Sequence, residues 1–294
     1  MLPERLQQFA TPIKVLDHGY VMLVDIMGDD SNILHAARVS YAAGTKKTSD
    51  DRTLLRYLLR ARHTTPFEQA AIRIEVKLPI FVERQWARHR TASWNEMSAR
   101  YSILSNEFYY PEPESVKAQS TTNKQGRDQT LPDDVVAEYL QDLQQTCLDA
   151  YAKYEHAVDA GVTRELARCL LPVNVYTAKV WTMNLHNLLH FLSLRMDEHA
   201  QWEIRQYANA IAEIVKVWTP WVWEAFEDYD SRRSGLLLSR QEVLGLGNLL
   251  GKLTAEGFQK DKIIASATEA AGLTKGREAG EFKGKILRIM ESEK

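Results

Sequence analysis

Only two cysteines occur in the 294 residues, Cys147 and Cys169, and no C-x-x-C links them. Neither a disulfide framework nor a thiolate zinc site therefore organises this chain. Excess charge of one sign is also missing: 37 Lys and Arg stand against 39 Asp and Glu, a formal net charge of −2. That balance excludes a global electrostatic grip on nucleic acid or on an anionic membrane. No apolar run approaches the ~18 residues of a membrane span, and the opening MLPERLQQFA carries charge where a signal peptide is apolar. A cytoplasmic protein with neither a nucleic acid nor a membrane as partner is expected. No G-x-G-x-x-G follows a strand pattern, since Gly245-Leu-Gly247 lacks its third glycine, so a Rossmann crevice is absent. No internal repeat is visible. The remaining composition, 45% hydrophobic, is that of a globular chain long enough for one large domain, or one domain with an appendage.

The first part reads as mixed. Ile13 to Leu16 and Tyr20 to Ile26 are β-rich runs around the turn Asp17-His18-Gly19, which predicts a hairpin. Ile72, Ile74, Val76 and Leu78 alternate with Arg73, Glu75 and Lys77, the period of a half-buried strand. Between them Ser31 is expected to cap a helix running to Ala43 and stopping at Gly44, and Asp50 to cap another. From Pro79 the pattern turns helical, with Ile80, Val82 and Trp86 inward. Tyr110 to Leu131 reads as a long loop. Beyond Pro132 a helix carries Val135, Tyr139, Leu143, Cys147, Tyr151 and Tyr154 on its apolar face and stops at Gly161. Further helices are expected over 163–170, 178–194 and 198–218. Cys147 and Cys169 read as buried thiols on apolar faces. All seven tryptophans lie between Trp86 and Trp223, a composition shift that places a boundary near Ser231: a main domain of 1–230 and a helical appendage of 231–294.

The densest polar constellation runs from Gln85 to Tyr101. Arg88-His89-Arg90 at a helix end, followed by Ser93, Asn95, Glu96, Ser98 and Arg100, supplies guanidinium forks, hydroxyls and backbone N–H groups suited to phosphate. The bland alternatives are a salt-bridged helix end in solvent and a nucleic-acid patch, the latter weakened because no wider basic stripe continues it. A serine hydrolase built on Ser98 and His89 lacks an acid behind the histidine and an oxyanion hole. His186 and His190, at i,i+4, suggest a metal pair, yet no third ligand stands at a useful spacing, so no metal is expected.

The run Arg88-His89-Arg90-x-x-Ser93-x-Asn95-Glu96-x-Ser98-x-Arg100-Tyr101 matches every fixed position of the signature of flavin-dependent thymidylate synthases, and the chain resembles that family over about residues 12–230. Support comes from Ala37-Arg38-Val39-Ser40, His63-Thr64-Thr65-Pro66-Phe67-Glu68, Arg168 with Leu171-Pro172, and Leu194-Arg195 through His199-Ala200-Gln201-Trp202-Glu203-Ile204. The resemblance implies an α+β fold, a mostly antiparallel sheet flanked by helices with a helical C-terminal extension, assembled as a homotetramer with active sites shared between chains. It also implies methylation of dUMP to dTMP, with methylenetetrahydrofolate as carbon donor and NADPH supplying electrons through FAD. Carried over by position, Gln85, Trp86, Ala87, Arg88, Glu96, Met97, Ser98, Ala99 and Arg100 look like dUMP contacts, with Arg168 reaching in from a neighbouring chain. Arg195 looks like the catalytic residue at the uracil edge, favouring ionisation at N3 and so activating C5. Ser40, His63, Thr65, Glu68, Arg88, His89, Arg90, Glu96, Asn184, Leu185, His186, His190 and His199 look like FAD contacts. Family members often carry Arg at position 186 and Asn at position 190, where His can still hydrogen-bond or stack. The rival reading is a nucleotide-binding or regulatory module without turnover, which the intact Arg195 and His199 to Ile204 segment argues against.

Overall fold

Strand β1 (Ile13–Val15) turns through Leu16, at positive φ, into β2 (Gly19–Met27), and the two pair antiparallel as expected. Gly19 is required there: a side-chain carbon would collide with the Tyr207 hydroxyl and the Val15 carbonyl. The computed structural model describes residues 2–39, 50–121, 126–230, 240–273 and 276–291. Strand β3 (Ala71–Pro79) has the alternation read from its sequence, with Ile72, Ile74, Val76 and Leu78 at most 1% exposed. Each such burial stabilises by about 1.5–3 kcal/mol, and a one-residue slip would put Arg73, Glu75 and Lys77 inside instead. Among the described residues five strands form an antiparallel sheet in the order β1-β2-β3-β7-β4, where β4 is Ser93–Glu96 and β7 is Tyr176–Asn184.

Both of those last strands depart from expectation. Residues 178–184 continue β7 instead of opening a helix, and 93–96, which carry no strand pattern, form an edge strand. In β7 the buried face carries Thr177 and Lys179 beside Trp181 and Met183 while Val180 points to solvent, so the simple alternation of apolar and polar residues that marks a strand is missing. The stretch 110–131 is likewise not an irregular loop: it contains a small hairpin, β5 (Lys117–Gln119) with β6 (Arg127–Thr130).

Helix α1 (Asp30–Val39) is capped by Asp29, not Ser31: the Asp29 carboxylate accepts from the Ser31 backbone N–H at 2.9 Å and from its hydroxyl at 2.6 Å. Its expected end at Ala43 and Gly44 lies outside the described residues. Asp50 caps α2 (Asp51–Arg60) by accepting from Thr53 N–H, as expected. Pro79 opens α3 (Ile80–Trp86). The long helix α4 (Asp133–Asp159) buries Val136, Cys147, Tyr151 and Tyr154, with Val135 and Tyr139 turned to solvent. Then come α5 (Arg164–Ala167), α6 (Leu185–Arg195), α7 (Trp202–Trp218, starting four residues later than expected) and α8 (Pro220–Tyr229). Asp30 caps α8 from across the fold, accepting from Trp221 and Val222 N–H at 2.9 and 3.2 Å, and burial pushes its carboxyl up to about 6. Cys147 is buried as expected, whereas Cys169 is exposed because it sits in the open 3₁₀ turn after α5.

Residues 1–235 form one compact unit and 236–294 a second. In the first, α3, α6 and α7 pack on the sheet over a core holding Trp86, Trp181, Phe191, Tyr207 and Trp218, and α8 packs against α2 and α7. A separate cluster joins α4 to the segment after β4, where the Tyr151 hydroxyl donates to the Leu104 carbonyl at 2.9 Å and Leu104 N–H donates to the Tyr154 hydroxyl. The second unit consists of α9 (Arg240–Ala255), α10 (Lys260–Ala270) and α11 (Gly276–Met290) around Ile264, Ile286 and Met290.

Candidate active site

The polar constellation divides into three connected groups. The first gathers on α6. Arg195 closes that helix and donates from Nε to His89 Nε2 at 2.9 Å. His89 is 8% exposed, packed edge-on to Phe191 with centroids 4.8 Å apart and 6.3 Å from His190. Burial, helped by the charges of Arg195, His190 and Lys179, pulls the His89 imidazole down to about 4. It is therefore neutral near pH 7, and because Nε2 accepts, Nδ1 carries the proton. Burial also draws Arg195 below its ordinary value, but a guanidinium stays charged. Among the described residues no carboxylate pairs with Arg195, so this helix end presents a half-buried, uncompensated cation.

The 3₁₀ turn Thr65–Gln69 packs against α6, bringing Thr65 and Glu68 to the helix that carries His186 and His190. Asn184 caps α6, accepting from Asn187 N–H at 3.0 Å. His63 is exposed, edge-on to Tyr57. Arg88 and Arg90 are exposed and have no carboxylate partner among the described residues. Two free guanidiniums beside hydroxyl, amide and imidazole groups form a donor set that fits the pyrophosphate and polar edges of a dinucleotide. Ser40 lies outside the described residues. Leu185 departs from its expected part: its side chain is fully buried and its N–H is spent on the Ala70 carbonyl at 2.8 Å. Trp86 departs likewise. Its ring, 1% exposed, is stacked among Trp181, Phe191 and Tyr207 in the core, so no ligand reaches its face.

The second group lines a cleft of about 420 Å³ bounded by Glu96, Met97, Ser98, Ala99, Arg168 and Thr177. Thr177 donates to Glu96 at 2.8 Å. Arg100 bonds Glu165 at 2.8 Å at the surface, and the Arg168 guanidinium donates to the Glu165 carbonyl at 3.2 Å. Within one chain, then, Arg168 faces the same cleft as Ser98. Ala87 caps α3 through its N–H and is half-buried.

The third group starts from Gln85, whose amide donates to Gln201 Oε1. Gln201 donates to Glu203 Oε2 at 2.8 Å, while Arg127 and Tyr109 reach Glu203 Oε1 at 2.7 and 3.3 Å. Tyr109 is thus a core tyrosine, and burial together with the Glu203 charge pushes its phenol up. His199, exposed and bonded to Asp197, lies with Gln201 on a second cavity of about 690 Å³ beside β5 and β6.

Lys179 links the first two groups. It pairs with Glu83 of α3, stands 4.4 Å over the Trp86 ring, and is the cross-strand partner of Glu96. Burial pushes Glu83 up and Lys179 down, each opposed by the other's charge. Lys179, Thr177 and Arg127 carried no sequence signal of a role. A lysine inside a strand and an arginine in a polar stretch look like ordinary surface residues until their partners are seen.

Comparison with known proteins adds an independent line. Residues 22–221 match the family described as thymidylate synthase complementing protein. A flavin-dependent thymidylate synthase of Rickettsia bellii is 52% identical, over 78% of this chain and 82% of that protein. One of Thermus thermophilus is also 52% identical, over 84% and 88%. Among solved structures, a UMP/dUMP methylase from Streptomyces cacaoi bound to 5-Br UMP is 33% identical, with a TM-score of 0.66 over 74% of this chain and 97% of that one.

Proposed function

The chain belongs to the flavin-dependent thymidylate synthase family, and from that premise we propose how its residues divide the work. It converts dUMP to dTMP by reductive methylation, with methylenetetrahydrofolate as carbon donor, NADPH as reductant and FAD as cofactor. FAD, when bound, supplies the redox chemistry that passes reducing equivalents from NADPH toward the methylene carbon.

The observation that carries the assignment of residues is the uncompensated Arg195 cation held by neutral His89. A fixed positive charge in a half-buried site stabilises negative charge developing on the uracil ring, so N3 gives up its proton more readily and C5 becomes the carbon nucleophile. The neutral histidine orients the guanidinium without cancelling its charge. No cysteine has to attack the ring. Arg100 and Arg168 clamp the phosphate, with Ser98 and Glu96 on the same cleft. The exposed Arg100–Glu165 pair contributes at most about 1 kcal/mol, so a phosphate dianion displaces it. Arg88 and Arg90, with Thr65, Glu68, Asn184, His186 and His190, hold FAD.

The active site is composite between chains of a homotetramer. In support, among the described residues neither Arg195 nor His89 lines the Ser98 cleft. Exposed apolar side chains, Tyr101, Ile103, Leu166, Leu170 and Val173, cluster in the segments around the cleft, and clusters of this kind mark association surfaces. Residues 1–230 act as the catalytic domain and 231–294 as a helical appendage. Among the described residues no helix is long and apolar enough to cross a membrane, in keeping with a cytoplasmic enzyme.

The test is dUMP-dependent NADPH oxidation by the FAD-loaded protein, with dTMP as the measured product. Product should form only when methylenetetrahydrofolate is present. Nucleotide binding with no dTMP in the complete mixture would leave only a binding module.

A further inference from the structure

Glu203 is buried, 3% exposed, at the first turn of α7. Paired with the Arg127 guanidinium, its carboxylate accepts at both oxygens, and that sets the direction of every amide behind it. Gln201 must turn its NH₂ toward Glu203 Oε2, because the flipped amide would set a carbonyl against a carboxylate. Its own Oε1 is then left for Gln85, which must in turn give its NH₂. Gln85 ends with its carbonyl oxygen buried and without a hydrogen-bond partner. A glutamine amide alone can face either way; here a charged acceptor two side chains away removes the choice. A buried acceptor left unmatched costs free energy that a ligand's donor recovers.

We propose that Glu203 is a positioning residue that holds Gln85 as a hydrogen-bond acceptor, so that the nucleotide site selects a donor group on its ligand. This rests on the assignment of Gln85 to the nucleotide site. Two groups of dUMP supply that chemistry, the 3′-hydroxyl of the deoxyribose and the uracil N3–H. A hydroxyl accepts as readily as it donates and would satisfy either face of the Gln85 amide, so the uracil N3–H, which only donates, is the group whose binding depends on the relay. Replacing Glu203 by Gln reverses the relay. Arg127 and Tyr109 keep the new side chain's Oε1, its NH₂ faces Gln201, and Gln85 is left presenting NH₂ where a carbonyl stood.

The experiment measures equilibrium binding of dUMP, 2′,3′-dideoxy-UMP and dCMP to the full FAD-loaded protein and to Glu203→Gln. The unaltered protein should bind dUMP at least about tenfold more tightly than dCMP, whose N3 accepts, the order expected for one matched buried acceptor. In Glu203→Gln dUMP should weaken by about tenfold, and dideoxy-UMP with it, while dCMP does not weaken, with the visible flavin absorbance retained. If the preference for dUMP over dCMP survives in Glu203→Gln, the proposal is overturned. Should that variant fail to fold, Gln201→Leu cuts the same relay and must erase the same preference; a preference that survives there overturns it equally. Unaltered protein that binds dUMP but makes no dTMP counts against the enzyme reading alone, and protein that binds no dUMP counts against both.

Discussion

Replacing Lys179 by Met removes one partner of a buried ion pair while nearly preserving its volume, and the structure sets a ceiling on the cost. The two side chains are 1% and 6% exposed, so neither charge is hydrated, and Glu83 is left in the core beside Trp86. Staying ionised there costs several kcal/mol. The alternative is to take up a proton, which at pH 7 costs a carboxyl of ordinary value near 4.3 about 4 kcal/mol. The loss at pH 7 is therefore about 3–4 kcal/mol, which for a unit of this size lowers Tm by roughly 10 °C. The pH dependence is the sharper signature. In the folded variant Glu83 titrates above its unfolded value, so the variant is penalised least below about pH 4 and progressively more as the pH rises; at pH 5 the penalty shrinks to about 1 kcal/mol. Denaturant unfolding followed by tryptophan fluorescence reads the right unit, because all seven tryptophans lie between Trp86 and Trp223. The double variant Lys179→Met/Glu83→Met should recover most of the loss. A penalty under about 1 kcal/mol at pH 7, or one that does not change between pH 7 and pH 5, would refute the reasoning.

Arg195→Ala should abolish dTMP formation while the protein stays yellow, since it removes the cation at the uracil edge and leaves Arg88 and Arg90 in place; loss of bound flavin would instead assign Arg195 to cofactor retention. Truncation after residue 235 should leave dTMP formation within about twofold, as expected of an accessory unit with its own small core. A large loss in that assay would put the second unit in the catalytic machinery.

The elements legible in the sequence were those whose surroundings obey the ordinary partition. β3 alternates because one face meets the core and the other does not, and Asp50 caps α2 through a bond made within four residues. The arginine-rich motif was legible because free guanidiniums around hydroxyls are chemically informative wherever they fold. β7 was not, since its core-facing side carries Thr177 and Lys179 for the sake of Glu96 and Glu83, partners roughly eighty to a hundred residues away. Trp86 and Leu185 were assigned to ligands by position, and only packing shows that their side chains belong to the core. The Gln85–Gln201–Glu203 relay was hidden for the same reason: its direction depends on Arg127, in a hairpin that the sequence presents as polar loop.

The pairing of β3 with β7 has a kinetic consequence. Ile74 lies opposite Trp181, a contact between residues roughly a hundred positions apart, and closing so long a loop is a slow, entropically costly step. During synthesis β1, β2 and β3 leave the ribosome as a meander whose inner edge stays open until β7 follows, and an open edge is a template for pairing with another chain. The nascent protein is thus most prone to aggregation after its first three strands exist and before α4 has been followed by β7. Until that edge is covered, pairing with another chain competes with completion of the sheet.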